Sequence, residues 1–327
     1  MSNCVLIIPY FGKFPSWFQL FLDSCARNPG FDWRIYTDDA TAYEYPQNVQ
    51  VIYTTFAEAQ ARFRKKLGQD IRLDRPYKFC DYRPAYGHVF AQEIRDYDWW
   101  GHCDLDLLFG DLERFVSPLL KEGYDKLFAA GHLTIYRNTP ENNLRYLLPL
   151  KGEALFRIYS ARESNAGFDE DGGNEKNIHA IYVEQGFPVY AQDLSFNCSD
   201  KYYLFRQSRF CSRTRRWNIL PRQRSAWFWH EGRVLRLTPG KEGVQQQEYA
   251  YMHLQGRKWM RFLGGEKSNT LWIRPDGFRY CEALPETKAQ VKRYLVDFGG
   301  IQGLRMVMLR MRLRLGRLKI RLKEWLK

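Results

Sequence analysis

Up to about residue 200 the chain alternates short apolar runs with stretches whose apolar residues recur at helical spacing, and this order limits the fold more than any other feature. Residues 5–9 read as a buried strand. Residues 16–25, apolar at 17, 18, 20, 21, 22 and 25, read as a helix with Ser16 as its cap. Residues 32–36 form a second strand, stopping at Thr37-Asp38-Asp39, and residues 49–53 a third. Helix follows over 56–67 and again over 85–94, then a strand over 99–103. Residues 127–130 and 133–136 are extended; 139–150, 153–159 and 174–184 are helical. Strand, helix and strand in alternation predict an α/β domain with a mixed, mainly parallel sheet of the Rossmann-like kind. Beyond 200 the character shifts. Residues 206–224 are basic and aromatic and read as a loop or insertion, whereas 225–230, 234–237 and 249–254 read as short antiparallel strands.

One apolar run carries more than packing. Trp99-Trp100-Gly101-His102-Cys103-Asp104-Leu105-Asp106-Leu107-Leu108-Phe109 sets two carboxylates two positions apart. If extended, the run points both to one face. Two anions in an apolar setting cost several kcal/mol unless something positive lies between them. A divalent cation carrying a phosphate-bearing substrate is the natural partner, which makes Asp104 and Asp106 the first candidates for a metal site. The triplet alone is weak, because chance supplies about one Asp-x-Asp in such a chain, and there are three. Asp96-Tyr97-Asp98 follows a helical pattern, and Asp169-Glu170-Asp171 sits in a glycine-rich loop. Only the middle triplet ends a hydrophobic strand.

Composition narrows the class. With 327 residues, 45% of them hydrophobic, the chain can bury a sizeable core. Seven scattered cysteines without a Cys-x-x-Cys pair argue against a disulfide framework and a zinc ribbon. No apolar stretch approaches the roughly 18 residues a spanning helix needs. The N-terminus has no basic leader, so the expected location is cytoplasmic. The net charge of +13 suggests an anionic partner, yet residues 301–327 hold nine Lys/Arg and one Glu. The first 300 residues therefore carry only +5.

Polar groups gather where an open α/β sheet binds ligands, beyond the carboxyl ends of its strands. They are Tyr10-Phe11-Gly12, Thr37-Asp38-Asp39 and Asp104-Leu105-Asp106. Asp38 or Asp39 can accept hydrogen bonds from a ribose or base, or can cap a turn. Lys78 or Arg83 can clamp phosphates or a sugar, or Lys78, Asp81 and Arg83 can pair among themselves. In Asp169-Glu170-Asp171 one reading is a base for an acceptor hydroxyl; the other is capping of the helix that follows. His102 and His132 line a pocket or are packed. Trp227 and Trp229 offer a stacking surface or belong to the core.

Taken together, Ile8-Pro9-Tyr10-Phe11-Gly12, Thr37-Asp38-Asp39, the segment Pro76-Tyr77-Lys78-Phe79-Cys80-Asp81-Tyr82-Arg83-Pro84-Ala85-Tyr86-Gly87 and Gly101-His102-Cys103-Asp104-Leu105-Asp106 resemble the bacterial GT-A-fold glycosyltransferases of surface-polysaccharide assembly. The similarity continues in Gly131-His132, Phe168-Asp169-Glu170 and His253-Leu254-Gln255, and covers roughly residues 3–260. It implies a GT-A-like domain over 1–265, a connecting segment over 266–300 and a basic tail over 301–327. It also implies Mn²⁺ or Mg²⁺ on Asp106 and His253, with Asp104 on the metal or the donor ribose. Donor contacts would come from Tyr10, Asp38, Asp39, Lys78, Asp81, Arg83, Asp104, His132, Gln255 and Lys258, with Arg257 also near the diphosphate. Glu170 or Asp169 would be the base of an inverting transfer. The implied donor is a nucleotide-sugar, of which UDP-galactose and UDP-galactofuranose are examples, and the acceptor a glycan or lipid-linked saccharide. No nucleic acid is expected.

In the tail, Leu304, Val307, Met308, Met311, Leu315, Leu318, Leu322, Trp325 and Leu326 form an apolar stripe flanked by basic residues. That pattern fits an amphipathic helix on the inner face of an anionic membrane; dimerisation or a partner enzyme remains the alternative. Two other function classes stay open: a non-enzymatic basic protein binding membrane or nucleic acid, and a metal-dependent nucleotidyltransferase or hydrolase.

Overall fold

The computed structural model describes residues 4–173, 175–296, 304, 307, 308 and 311. The tail proper lies outside the described residues, apart from Leu304, Val307, Met308 and Met311, which are helical and exposed. Among the described residues no helix is long and apolar enough to cross a membrane.

The strands β1 (Cys4–Pro9), β2 (Phe31–Thr37), β3 (Val49–Tyr53), β4 (Trp99–Cys103), β5 (Leu107–Phe109), β6 (Lys126–Leu127), β7 (Leu133–Arg137) and β8 (Val189–Tyr190) follow one another in the first part of the chain. All but β5 join one sheet in the order β3-β2-β1-β4-β7-β6-β8. The four strands from β3 to β4 run parallel, β7 is antiparallel to both its neighbours, and β6 and β8 are parallel. This is the mixed, mainly parallel sheet expected of the sequence.

Its faces are set by strand alternation. Cys4, Leu6 and Ile8 pack with Phe18, Phe21, Trp33 and Phe109 on one side, while Val5 and Ile7 pack with Phe63, Tyr86, Phe90 and Tyr182 on the other. Helix α1 (Phe18–Ala26) covers the first face. It starts later than expected, and Ser16 does not cap it: the Ser16 hydroxyl donates to the Met260 carbonyl. Helix α2 (Phe56–Leu67) covers the second face and is opened by a Thr55–Glu58 capping box. The helix expected over 85–94 is instead broken. Two 3₁₀ turns, Pro76–Lys78 and Arg83–Ala85, alternate with the short helices Phe79–Tyr82 and Tyr86–Val89. Pro76 and Pro84 lack the amide hydrogen a continuous helix through this segment would need, and past Val89 the chain runs on in turns. The helix expected over 174–184 begins only at Ile178, with Asn177 as its cap.

The second half is mostly antiparallel. β9 (Ser195–Asn197) is followed by the hairpin β10 (Ser208–Cys211) and β11 (Arg216–Ile219), where an insertion without strands was expected. Then come β12 (Ala226–His230), β13 (Arg233–Pro239), β14 (Val244–Tyr249), β15 (Tyr251–His253), β16 (Arg261–Phe262), β17 (Thr270–Arg274) and β18 (Gly277–Cys281). Six of them form a sheet ordered β14-β13-β12-β17-β18-β16, and β5-β15-β9 form a smaller one. Within the expected connecting segment, β17 pairs with both β12 and β18 inside the sheet. Trp227 and Trp229 are buried there and the Trp229 indole donates to the Phe109 carbonyl, so the stacking-surface reading is withdrawn. All seven cysteines are free.

Lys126, on β6, is wholly buried; its amine donates to the Phe128 carbonyl and lies over the Tyr136 ring. Burial pushes its pKa down to about 7, against the pull of Asp171. Between about pH 7 and the ordinary lysine value near 10.4, the folded chain thus binds fewer protons here than the unfolded chain. Stability should rise with pH across that window, by an amount on the order of a few kcal/mol. In Lys126→Met the rise should vanish, as urea unfolding at pH 7 and pH 9 would show.

Candidate functional site

The chain turns sharply after β4. Asp104-Leu105-Asp106 is that turn, leading straight into β5, rather than the extended run expected. The two carboxylates still converge, for a tertiary reason. β5 pairs with β15, setting Leu107 opposite His253. The His253 Nε2 lies 3.3 Å from Asp106 Oδ1 and 3.8 Å from Asp104 Oδ2. One ligand atom each from Asp104, Asp106 and His253 lie within 4.8 Å of one another. Asp106 is further fixed because its second oxygen accepts the Gly256 amide and its carbonyl accepts that of Leu254.

Around this cluster the charge is lopsided. Arg83 donates to Asp104 and, at 2.8 Å, to Asp169; the same nitrogen that meets Asp169 donates to the Gly131 carbonyl at 3.0 Å. Among the described residues, the cations that Asp104, Asp106, Asp169 and Glu170 face are thus Arg83 and His253. Burial pushes the Asp169 carboxyl up from the carboxylate range, with Arg83 opposing the rise and Glu170 adding to it. Partial desolvation of its carboxyl against the cluster, then the Asp104 charge, likewise raises Glu170, although the side chain as a whole is exposed. Burial disfavours charge on His253, but Asp106 and Asp104 outweigh it and raise its pKa. The Asp106 carboxyl stays below its ordinary range, since His253 and the Gly256 amide outweigh its burial. A site that leaves carboxylates in excess and draws a proton onto an imidazole is one that favours a cation. Two carboxylates and one imidazole suit a hard or borderline divalent ion such as Mn²⁺ or Mg²⁺.

Gly131 closes the site. A Cβ there would stand 2.7 Å from Asp169 Oδ2 and 3.1 Å from the Glu170 Cβ, so a side chain would push the acid loop away. Its amide also donates to Glu170. Of the two acids, Asp169 is buried and held by Arg83, whereas Glu170 is exposed beside the cluster. His132 is buried, its ring 4.4 Å from that of His253 and its Nδ1 3.2 Å from the Tyr251 hydroxyl. His102 lies deeper, packed against Tyr86 and Tyr136, and does not line the site.

Of the residues expected to contact a donor, some meet at the surface. Lys258 reaches the Tyr10 hydroxyl at 3.5 Å, and Asp38, exposed, accepts the Gly12 amide at 2.7 Å. Other candidates are committed to the framework. Asp39 is buried and accepts from Lys13, Thr41 and the Phe14 amide, which overcome its burial and hold its carboxyl below the ordinary range. The Lys78 ammonium donates to Asp81 at 2.7 Å and to the carbonyls of Tyr159 and Ser164, so its three hydrogens are spent and none is left for a phosphate. Asp81 in turn accepts the amides of Ala166 and Phe168, which fixes the start of the acid loop. Gln255 accepts the Asp200 amide, and Arg257 is buried, donating to the carbonyls of Ser199, Tyr202 and Tyr203.

Sequence reasoning missed a wall of this site. Arg215 grips Asp171 through two bonds of 2.6 and 3.0 Å, and the Trp217 indole donates to the Asp171 carbonyl at 2.9 Å. The Trp217 ring crosses Gly172, whose φ of +110° and contact with the indole both exclude a side chain. That ring lies 6.0 Å from His132. Asp171 therefore anchors the hairpin and does not cap the helix; Asn177 does. Tyr77, 72% exposed, stands at the rim.

The chain belongs to DUF6625, a family of unknown function whose model matches residues 6–282. No curated protein matches it in sequence. Among solved structures it is similar to mouse xyloside xylosyltransferase 1 in its apo form, at 8% identity over 61% of this chain and 88% of that one, with a TM-score of 0.36. It is also similar to an active-site mutant of LgtC, at 10% identity over 60% and 75% of the two chains and a TM-score of 0.35. A third is the apo-form glycosyltransferase GlyE of Streptococcus pneumoniae TIGR4, at 12% identity over 60% and 47%, with a TM-score of 0.33.

Proposed function

We propose that the protein is a metal-dependent glycosyltransferase of GT-A-like architecture that moves a sugar from a nucleotide-sugar to a hydroxyl of a glycan or lipid-linked saccharide. The observation that carries this reading is the convergence of Asp104, Asp106 and His253 beside the carboxyl end of β4, with Glu170 exposed next to them. A UDP-sugar, such as UDP-galactose or UDP-galactofuranose, is the donor we favour, and surface-polysaccharide assembly the setting. Asp106 and His253, with Asp104, would hold Mn²⁺ or Mg²⁺, which when bound supplies Lewis-acid charge to the departing diphosphate.

The remaining roles fall to the chain itself. Tyr10 and Lys258 lie together at the end of β1, where a nucleotide diphosphate would enter. Arg83 orients Asp104 and Asp169 at once, tying the metal side of the site to the base side. Glu170 takes the proton from the acceptor hydroxyl as its oxygen bonds to the sugar C1. The bond from C1 to the diphosphate oxygen breaks, and its electron pair leaves with the nucleoside diphosphate. Attack opposite the leaving group inverts the anomeric centre. The basic tail, with Leu304, Val307, Met308 and Met311 exposed, supports peripheral contact with an anionic membrane surface.

Glu170→Gln separates base from binding. With diphosphate release as the readout, kcat should fall by about 10²- to 10⁴-fold, while Mn²⁺-dependent binding of the nucleotide-sugar stays intact. Wild-type kcat should climb with pH through the raised Glu170 pKa, because a base acts deprotonated, and the variant should lose that limb. An unchanged kcat would remove Glu170 from the chemistry.

A further inference from the structure

The positive charge of the chain is concentrated in two places. Residues 201–224 hold eight Lys/Arg and no Asp or Glu, and the tail from 301 holds nine Lys/Arg against one Glu. Everything else carries 33 Lys/Arg against 36 Asp/Glu. The basic character of the folded body is thus a property of one short segment, the one that contains β10 and β11.

The register of that hairpin sorts its side chains. Phe210 pairs with Trp217, and this face turns inward onto the acid loop. Arg209 pairs with Asn218 and Cys211 with Arg216, so Arg209 and Arg216 share the outer face as diagonal neighbours, roughly 7–8 Å apart by β geometry. Arg213 lies in the turn between the strands, and all three arginines are exposed. Arg215 is spent on Asp171, but no carboxylate of the described residues lies within ion-pair distance of Arg209, Arg213 or Arg216. The acid that faces Arg209, Asp193, is half-buried, its oxygens taken by Ser195 and the Phe210 amide. Like charges held on one strand face repel, and an anion between them relieves that repulsion.

Position decides which anion. The inner face of the hairpin is fastened to Asp171 and Gly172, two and three residues from Asp169, so the arginines stand on the acceptor side of the site. The donor diphosphate belongs on the other side, near Lys258 and the metal cluster. The outer face presents Arg209, Cys211, Arg216 and Asn218, with no large apolar side chain to enter a bilayer.

Resting on the glycosyl-transfer reading, we propose that the acceptor is an anionic saccharide, one bearing carboxylate or phosphate groups, and that Arg209, Arg213 and Arg216 hold those groups while Glu170 meets the reacting hydroxyl. Guanidinium forks bind either anion bidentately. The test uses oligosaccharides of equal length: neutral, uronic-acid-containing and phosphorylated. Wild-type full-length protein should bind the anionic ones at least about tenfold tighter than the neutral one. Arg209→Glu/Arg216→Glu should abolish that preference and Arg209→Lys/Arg216→Lys should keep most of it, with thermal unfolding and Mn²⁺-dependent nucleotide-sugar binding unchanged in both. Equal binding of neutral and anionic saccharides, or a preference that survives charge reversal, would overturn the proposal. So would a charge reversal that weakens binding only to phosphatidylglycerol vesicles, which would assign the face to a membrane. If no nucleotide-sugar binds the wild type, the glycosyl-transfer reading fails, whatever the saccharides do.

Discussion

Asp106→Ala should lower sugar transfer by about 10³-fold or more, since a metal site is asked for several kcal/mol of transition-state stabilisation. The size follows from what Asp106 touches. One oxygen faces His253 Nε2 at 3.3 Å and the other takes the Gly256 amide, so alanine removes a ligand and frees the turn that carries Lys258. His253 would lose the carboxylate that holds its ring, leaving Asp104 tied to Arg83. His253→Ala should cost less, because both carboxylates survive it. Initial rates of diphosphate release against Mn²⁺ concentration measure both variants. A variant whose rate and Mn²⁺ dependence match the wild type would place the metal elsewhere.

The largest effect on stability should come from Asp81→Ala. Lys78 and Asp81 are each 1% exposed and 2.7 Å apart. Removing the carboxylate strands a buried ammonium, a loss of about 3–5 kcal/mol in comparable pairs. It also orphans the amides of Ala166 and Phe168 at the start of the loop bearing Asp169 and Glu170. Lys78→Met should cost less, since Asp81 keeps those two amides. Lys78→Met/Asp81→Ala should recover part of the Asp81→Ala loss, because no buried ammonium remains. Urea unfolding of the three variants orders them. If Asp81→Ala proves the mildest, the pair is not what holds this loop.

Much of the first half was legible because its signals are local. Val49–Tyr53, Phe56–Leu67 and Trp99–Cys103 fall where apolar runs and helical spacing put them, and Thr55 with Glu58 marks a helix start in the sequence itself. The hairpin over 208–219 was not legible, because its inner face carries only the buried Phe210 and the half-buried Trp217 and Ile219, too few apolar residues to show a period. The fate of Lys78 was equally hidden. Clamp and buried pair look alike in sequence, and the choice is made by carbonyls at Tyr159 and Ser164, more than eighty residues on. The convergence of Asp104 and Asp106 was legible only in part. Strand alternation does not bring them together; a turn does, and the pairing of β5 with β15 delivers His253 to it.

The central claim is that this cluster holds a divalent ion that presents a nucleotide-sugar. Titrating the full-length protein with a panel of nucleotide-sugars, in Mn²⁺ and again in EDTA, addresses it most directly. At least one donor should bind at micromolar to millimolar concentration in Mn²⁺ and lose about tenfold or more of its affinity in EDTA. Binding of none of them, or binding that ignores the metal, would contradict the claim.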